Sequence, residues 1–415
     1  MALQTRTTLL ESDNNRFLIL VVQAYVMCLF ILPKESFESD RWCWINWSIY
    51  LSEHGLGSAY SGPTNYPPIM QYVLWLYAKI QVNTDNLVSN IYILKAFSLV
   101  FDFLGAWMVV KLVNREKKKI FYFFLLVLNP IFVYNTLMWG QVDAVHAFFL
   151  LMCCIAAVNG KILPSGIWFF LAVNFKLQSI VYFPVIGLLL LPVIVKKENI
   201  KAVIGTVLLL VSLQLLIILP FILNGELSKF LQVVIGSVDY YPVVSANAYN
   251  IWYWIVGREA YAINDVIPIA GLSAKIWGLI LFCISSFALL FPLLYIILSH
   301  WMKGTSLPNK EKYLDITLIS GALVTMNLFF FATQMHERYS HIAMIFTCAY
   351  TLRNGKWLIF CLYFLAYFLN LEAVCQFLDW ENYHTLIFYP GLVAAIFFIF
   401  MLLMYKDLFK IYITR

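Results

Sequence analysis

The stretch AVIGTVLLLVSLQLLIILPFIL, residues 202–223, carries no charged side chain. As a helix rising about 1.5 Å per residue it covers about 30 Å, the thickness of a bilayer's hydrocarbon core. Working outward from it, similar apolar runs recur along the 415-residue chain. Spans are expected at roughly 17–33, 88–112, 120–135, 144–158, 162–174, 179–195, 202–223, 274–298, 313–333, 341–352, 357–371 and 385–404. The composition agrees: 62% of residues are hydrophobic and 12% charged, whereas soluble domains run near 45–50% and about 25%. The expected fold is therefore an all-α polytopic membrane protein, a single bundle of about 12 transmembrane helices formed by residues 1–415. Residues 1–16 are expected as a polar cytoplasmic tail. The apolar run behind them lacks a small-residue cleavage site, so it is expected to stay as the first helix.

Lysine and arginine set the orientation, because loops rich in them stay in the cytoplasm. With the N-terminus inside, the loops carrying Arg6, Arg16, Lys111, Lys117, Lys161, Lys196, Lys201, Lys303, Arg353, Lys356 and Lys406 share the cytoplasmic side. They hold most of the 28 basic residues, and the C-terminus lies with them. Most of the 22 acidic residues fall on the other side, although carboxylates have little influence on topology. The net charge of +6 is thus a topology signal, and no nucleic-acid partner is implied. Six cysteines fall inside spans as small apolar residues. Cys43 and Cys375 alone lie in outward loops, and neither a CxxC nor any metal-type spacing occurs.

The unusual motifs collect in the outward loops, above all 34–87 and 224–273. The first opens with Glu35, Glu38 and Asp40. Trp42, Ile45 and Ile49 then follow at helical spacing with Trp44 and Trp47 beside them, as in a helix lying in the headgroup region with its tryptophans down. Glycines and the Pro67–Pro68 pair break the chain before a second such helix, on which Ile69, Tyr72, Val73, Leu76, Tyr77 and Ile80 keep helical spacing. Asp40 has two readings: a carboxylate meeting a lipid-linked headgroup, or a cap for the helix behind it. Asp143, in NTLMWGQVDA (135–144), is likewise either a functional carboxylate at a span boundary or the cap of the next span. Lys176, in NFKLQS (174–179), either snorkels or clamps an anion. In SANAYNIWYW (245–254), Asn247, Asn250 and Trp252 either bind and stack on a sugar or serve as turn and interface residues. A transporter or lipid flippase is the competing class. Asp102 inside the second span is its main support, and no internal repeat accompanies it.

The segment QMHERYSH (334–341) invites a zinc-protease reading, which needs histidines at i and i+4. Here His336 and His341 are five apart, which on a helix puts the second roughly 140° from the first. The better physical reading makes His336 and Arg338 outer-face cations aimed at an anion, with Glu337 holding one of them.

Taken together, Asp40 with Trp47, then YPP (66–68), WGQVD, NFKLQ, ANAYNIW and HERY resemble the GT-C glycosyltransferases. The nearest branches are the bacterial relatives of the second GPI mannosyltransferase and the dolichyl-phosphate-glucose glucosyltransferases. The resemblance covers residues 40–339 and leaves the last three spans without a motif. It implies an inverting transfer of a hexose, mannose ahead of glucose, from a polyprenyl-phosphate donor to an acceptor hydroxyl at the non-cytoplasmic face. By the same resemblance Asp40 is the general base on the acceptor, and His336, Arg338 and Lys176 bind the donor phosphate. Glu337, Tyr66, Trp139, Gln141, Asp143, Gln178, Asn247, Asn250 and Trp252 then support the site or bind sugar and acceptor. The implied partners are the lipid-linked donor, a glycan, glycolipid or protein acceptor, and membrane lipids. No metal or other cofactor is expected, and the site would face the periplasm or cell exterior, or the lumen of a eukaryotic reticulum.

Overall fold

A computed structural model describes residues 2–113, 115–236, 239–304, 307–383 and 385–413, with side chains from Asn15 onward except at 116 and 413. Met1, Arg415 and the side chains of the expected tail before Asn15 lie outside the described residues.

Each of the twelve expected spans falls on a helix, but the helices are not equal. Among the described residues seven are long and apolar enough to cross a membrane: Ile91–Val113, Leu177–Ile194, Lys197–Leu223, Ala274–Lys303, Lys310–Phe331, Trp357–Cys375 and Pro390–Tyr412. An eighth candidate is a pair, Lys119–Val127 and Pro130–Met138, bent by 44° where a single span, 120–135, was expected. Asn15–Phe30, Asp143–Val158 and Ile162–Phe175 are apolar but shorter, and His341–Asn354 has 14 residues. The chain is thus an all-α, multi-pass membrane protein, with one two-stranded hairpin (Pro268–Ile269 with Leu272–Ser273) among the described residues. Asp143–Val158 and Ile162–Phe175 turn back on one another through Gly160, whose φ of +66° suits a residue without a Cβ.

The bend has a local cause. Pro130 supplies no N–H, and the Asn129 side chain accepts from Ile131 N at 3.0 Å, restarting the helix in a new direction. A π-helical turn over Val133–Met138 follows, with Trp139 N on Tyr134 O at 2.7 Å. Gly140 (φ +81°) then swings WGQVD toward the first loop. There Phe37 N donates to Trp139 O at 3.2 Å and Trp44 Nε1 to Gly140 O at 3.2 Å. Buried Lys95 ties the same two segments by donating to Pro33 O at 2.8 Å and Leu137 O at 2.6 Å.

The first loop does form two helices, Glu38–His54 and Pro68–Ile80. Their faces differ from the expected ones. Trp44, Trp47 and Leu51 turn into the protein, whereas Trp42 is 63% exposed. Tryptophan therefore points both ways, because Trp44 and Trp47 pack edgewise and tilted on Tyr66 at 5.4 and 5.6 Å instead of lying on lipid. On the second helix Met70, Leu74 and Tyr77 face inward, while Leu76 and Ile80 face outward.

Lys310–Phe331 and His341–Asn354 form the centre of the bundle, buried along most of their length. Gly321 allows their close approach, since a Cβ there would meet the Phe346 ring at 2.3 Å. The turn between these two helices is the HERYS segment, so the most buried part of the bundle is also what positions it.

Candidate active site

Asp40 lies in the first turn of Glu38–His54, where a negative charge suits the helix dipole, but the cap position belongs to Phe37. Its carboxylate faces across the loop instead. Oδ2 accepts a hydrogen bond from Trp139 Nε1, and Oδ1 stands 3.7 Å from Arg338 Nη2. The bent span and the HERY turn are thus both needed to hold this one side chain.

Arg338 is in a short 3-10 turn, Glu337–Ser340. Its Nη1 donates to Glu337 Oε1 at 2.9 Å, its guanidinium lies over the rings of Trp139 and Tyr339 at 5.7 and 5.8 Å, and its Nε has no partner. Such a group retains donor capacity for an anion. Glu337 is 1% exposed, with His336 Nδ1 at 3.7 Å on its other oxygen. Burial works against the Glu337 charge, but His336 and Arg338 outweigh it and hold the carboxyl below its ordinary range. Burial likewise opposes the Arg338 charge, and Asp40 and Glu337 outweigh it, so its pKa goes up. His336 packs edgewise on Tyr241 at 4.6 Å. Its Nε2 is buried without a partner.

Lys176 does not snorkel. It is buried, donates to Asp143 Oδ1, and stands 5.9 and 5.2 Å from the rings of Tyr66 and Tyr339. Burial lowers its pKa against the opposing pull of Asp143. Asp143 begins Asp143–Val158 without acting as the cap, which is Val142.

These elements enclose a cavity of about 1090 Å³ whose wall includes Asp40, Tyr66, Lys176, Gln178, Arg338 and Tyr339. Trp42 and Trp47 line one side, and Ile180, Leu279, Phe282 and Leu328 give an apolar flank along the long helices. Gln178 donates to Tyr339 O at 3.1 Å. His336, Glu337, Trp139, Gln141 and Asp143 stand behind the wall, and Gln141 is buried with neither side-chain atom partnered. Asn247, Asn250 and Trp252 frame the turn from further back. Asn250 Nδ2 donates to Phe329 O at 3.1 Å, Trp252 Nε1 donates to Phe331 O at 3.0 Å, and Asn247 (φ +66°) bridges backbone to His336. They hold HERY against the end of Lys310–Phe331.

Sequence reasoning missed Lys229 and Lys275, which reach the wall from 224–273 and its following helix, paired with Glu226 and Asp239. It also missed His146, three residues beyond Asp143 and therefore on the same helix face, a spacing that flags it. No group of three or more His, Cys, Asp or Glu side chains able to hold a metal ion is found among the described residues.

Residues 60–192 match the family model described as Alpha-(1->6)-mannopyranosyltransferase, N-terminal domain. No curated protein matches the chain. The matched segment contains Tyr66, the WGQVD motif and NFKLQ, and ends before HERY. The match covers about a third of the chain and supports a mannosyltransferase, a glycosyltransferase with a sugar donor and an acceptor as partners.

Proposed function

We propose that the chain is an inverting mannosyltransferase that takes its sugar from a polyprenyl-phosphate donor at the non-cytoplasmic face, with glucose as the alternative hexose. The observation that carries this reading is one cavity with Asp40, Arg338 and Lys176 at its polar end and Ile180, Leu279, Phe282 and Leu328 along its flank. A donor with a charged head and a hydrocarbon tail matches that division. The outward loop 34–87 contributes the base, and the loop 224–273 supplies part of the opposite wall.

In the reaction the acceptor hydroxyl approaches Asp40 Oδ1. Arg338 now stands 3.7 Å from that atom and turns toward the donor phosphate. Asp40 takes the hydroxyl proton as the acceptor oxygen bonds to the anomeric carbon. The bond from that carbon to the phosphate oxygen breaks, and its electron pair leaves on the polyprenyl phosphate. Trp139, bonded to Oδ2, keeps the carboxylate aimed. Arg338 and Lys176 offset the charge on the leaving phosphate, the kind of term that often dominates catalysis. His336 and Glu337 hold the Arg338 turn. No metal takes part in this scheme, so a chelator should leave turnover unchanged.

The test is transfer by the purified protein from polyprenyl-phosphate mannose to a membrane-extract acceptor, with D40N alongside. D40N should lose about 10²–10⁴-fold in turnover while still binding the donor. Wild-type protein that consumes neither the mannose nor the glucose donor would sink the reading.

A further inference from the structure

Behind Lys176 lies a buried knot of groups that the proposed reaction leaves without a task. Asp143 Oδ1 accepts from Lys176 and is 3.4 Å from His146 Nε2, while His146 Nδ1 is 3.1 Å from Ser179 Oγ. His341 Nδ1 is 3.1 Å from the Tyr367 hydroxyl. Two atoms in the knot have no partner: Asp143 Oδ2 and His341 Nε2. The charged and titratable groups acting on His341 are Tyr367, Asp143, His146 and Lys176, and those acting on His146 are Asp143 and Lys176. Lys176 in turn feels Asp143, Arg338 and Asp40. Three sequence motifs therefore meet here, two residues from WGQVDAVH, two from NFKLQS and one from the end of HERYSH.

Charge balance gives the knot a purpose. At the polar end of the cavity and just behind its wall, the carboxylates Asp40, Glu337 and Asp143 are set against two basic side chains, Arg338 and Lys176. The other lysines on the wall, Lys229 and Lys275, are paired with Glu226 and Asp239. With neutral histidines this end is already in anionic excess, yet a lipid phosphodiester brings another negative charge. If the phosphate draws Lys176 toward itself, Asp143, 2% exposed, is left as a buried carboxylate without its ammonium. That state is strongly unfavourable unless another cation forms beside it. The nearest groups able to take up a proton beside it once Lys176 has left are imidazoles, His146 3.4 Å from Asp143 Oδ1 and His341 on the neighbouring helix.

We propose that His146 and His341 are positioning residues for the anion grip, acting through Asp143 on Lys176, and that the knot takes up one proton from solvent when an anion draws Lys176 off Asp143. The inference rests on the reading that the cavity receives a phosphate-bearing lipid. Neither imidazole lines the cavity, so neither is assigned contact with substrate.

Two measurements on the full chain in detergent test it. The first needs no lipid, because K176M (or K176Q, if the methionine variant does not fold) imitates the withdrawn lysine. A histidine that gains a carboxylate partner has a raised folded value. Its stabilisation is complete below about pH 6.5 and is lost as pH rises through that value. The melting temperature of K176M relative to wild type should therefore fall between about pH 5.5 and 8.5. Adding H146Q and H341Q, singly and together, should flatten the curve. A flat curve for K176M alone, or a slope that survives both glutamines, overturns the proposal; in the second case the proton sits on Asp143.

The second measurement is binding of polyprenyl-phosphate mannose, a phosphodiester whose own charge is constant over this range. Wild-type affinity should fall by up to about tenfold per pH unit between the imidazole midpoint of the free protein and the higher midpoint of the complex, as one-proton linkage requires, and H146Q/H341Q should lose that dependence. A slope kept by the double variant belongs to His336 beside Glu337 and overturns the proposal. If K176M shows the thermal slope but wild type binds no lipid, the functional reading fails and the proton-holding knot stands.

Discussion

Arg338 and Arg353 each stand between two carboxylates, one just before the helix His341–Asn354 and the other at its far end. All three nitrogens of Arg353 are engaged: Nε with Asp315 at 2.8 Å, Nη2 with Glu311, and Nη1 with Leu112 O at 2.9 Å. Arg338 has one short contact, to Glu337, a loose one of 3.7 Å to Asp40, and an Nε with no partner. Buried donors are normally satisfied, and an exception asks for a reason. The satisfied arginine staples two helices and a carbonyl together. The unsatisfied one faces a cavity with capacity to spare. Similar residue sets thus divide into scaffold and site by how completely each donor is used.

Four experiments press on that contrast. The largest effect should come from removing the carboxylates themselves. Glu337 is 1% exposed and Glu311 69%. E337Q should therefore cost about 3–5 kcal/mol in denaturant unfolding, as breaking buried pairs does, and E311Q under about 1 kcal/mol. Equal losses would erase the distinction. Next, R338Q should reduce transfer by about 10²–10³-fold, whereas R353Q lowers thermal stability and leaves turnover per folded molecule unchanged. A milder test keeps the charge and removes the fork: R338K should lose about tenfold in donor affinity, since lysine cannot engage two acceptors in one plane, and R353K should bind donor as wild type does. The smallest effect is an acid one. Because the Glu337 carboxyl is held low, its stabilisation is complete above its unfolded value of 4.5 and is lost only as pH falls through the lower folded value. The stability gap between wild type and E337Q should stay constant down to about pH 4.5 and narrow below it; narrowing that begins at about pH 6 would show that Glu337 is not held ionised.

Much of this architecture is legible in one dimension. Ala202–Leu223 announces a crossing by its lack of charge, and every expected span lies on a helix. The motifs around Asp40, Asp143, Lys176 and Arg338 stand out because charges are rare beside apolar runs. The details that escaped are those in which a neighbour decides. Asn129–Pro130 signals a break, but the 44° bend and the π turn beyond it depend on how WGQVD packs against the first loop. The face of Glu38–His54 was misjudged because periodicity cannot tell which tryptophans meet Tyr66 and which remain exposed. Nothing in the sequence links His341 to Asp143 and His146, yet the fold brings it within the electrostatic reach of that pair.

By itself the sequence determined the membrane-crossing class, the helical runs and the short list of charged residues worth following. These are local properties: hydrophobicity over about 20 residues decides insertion, and backbone hydrogen bonds close within a segment. Only the tertiary structure decided which charge meets which. Trp139 donates to a carboxylate 99 residues away, and Lys176 to one 33 residues away. Such pairings follow from how bent and shortened helices pack, because a buried charge keeps its ionised form only where packing delivers a partner.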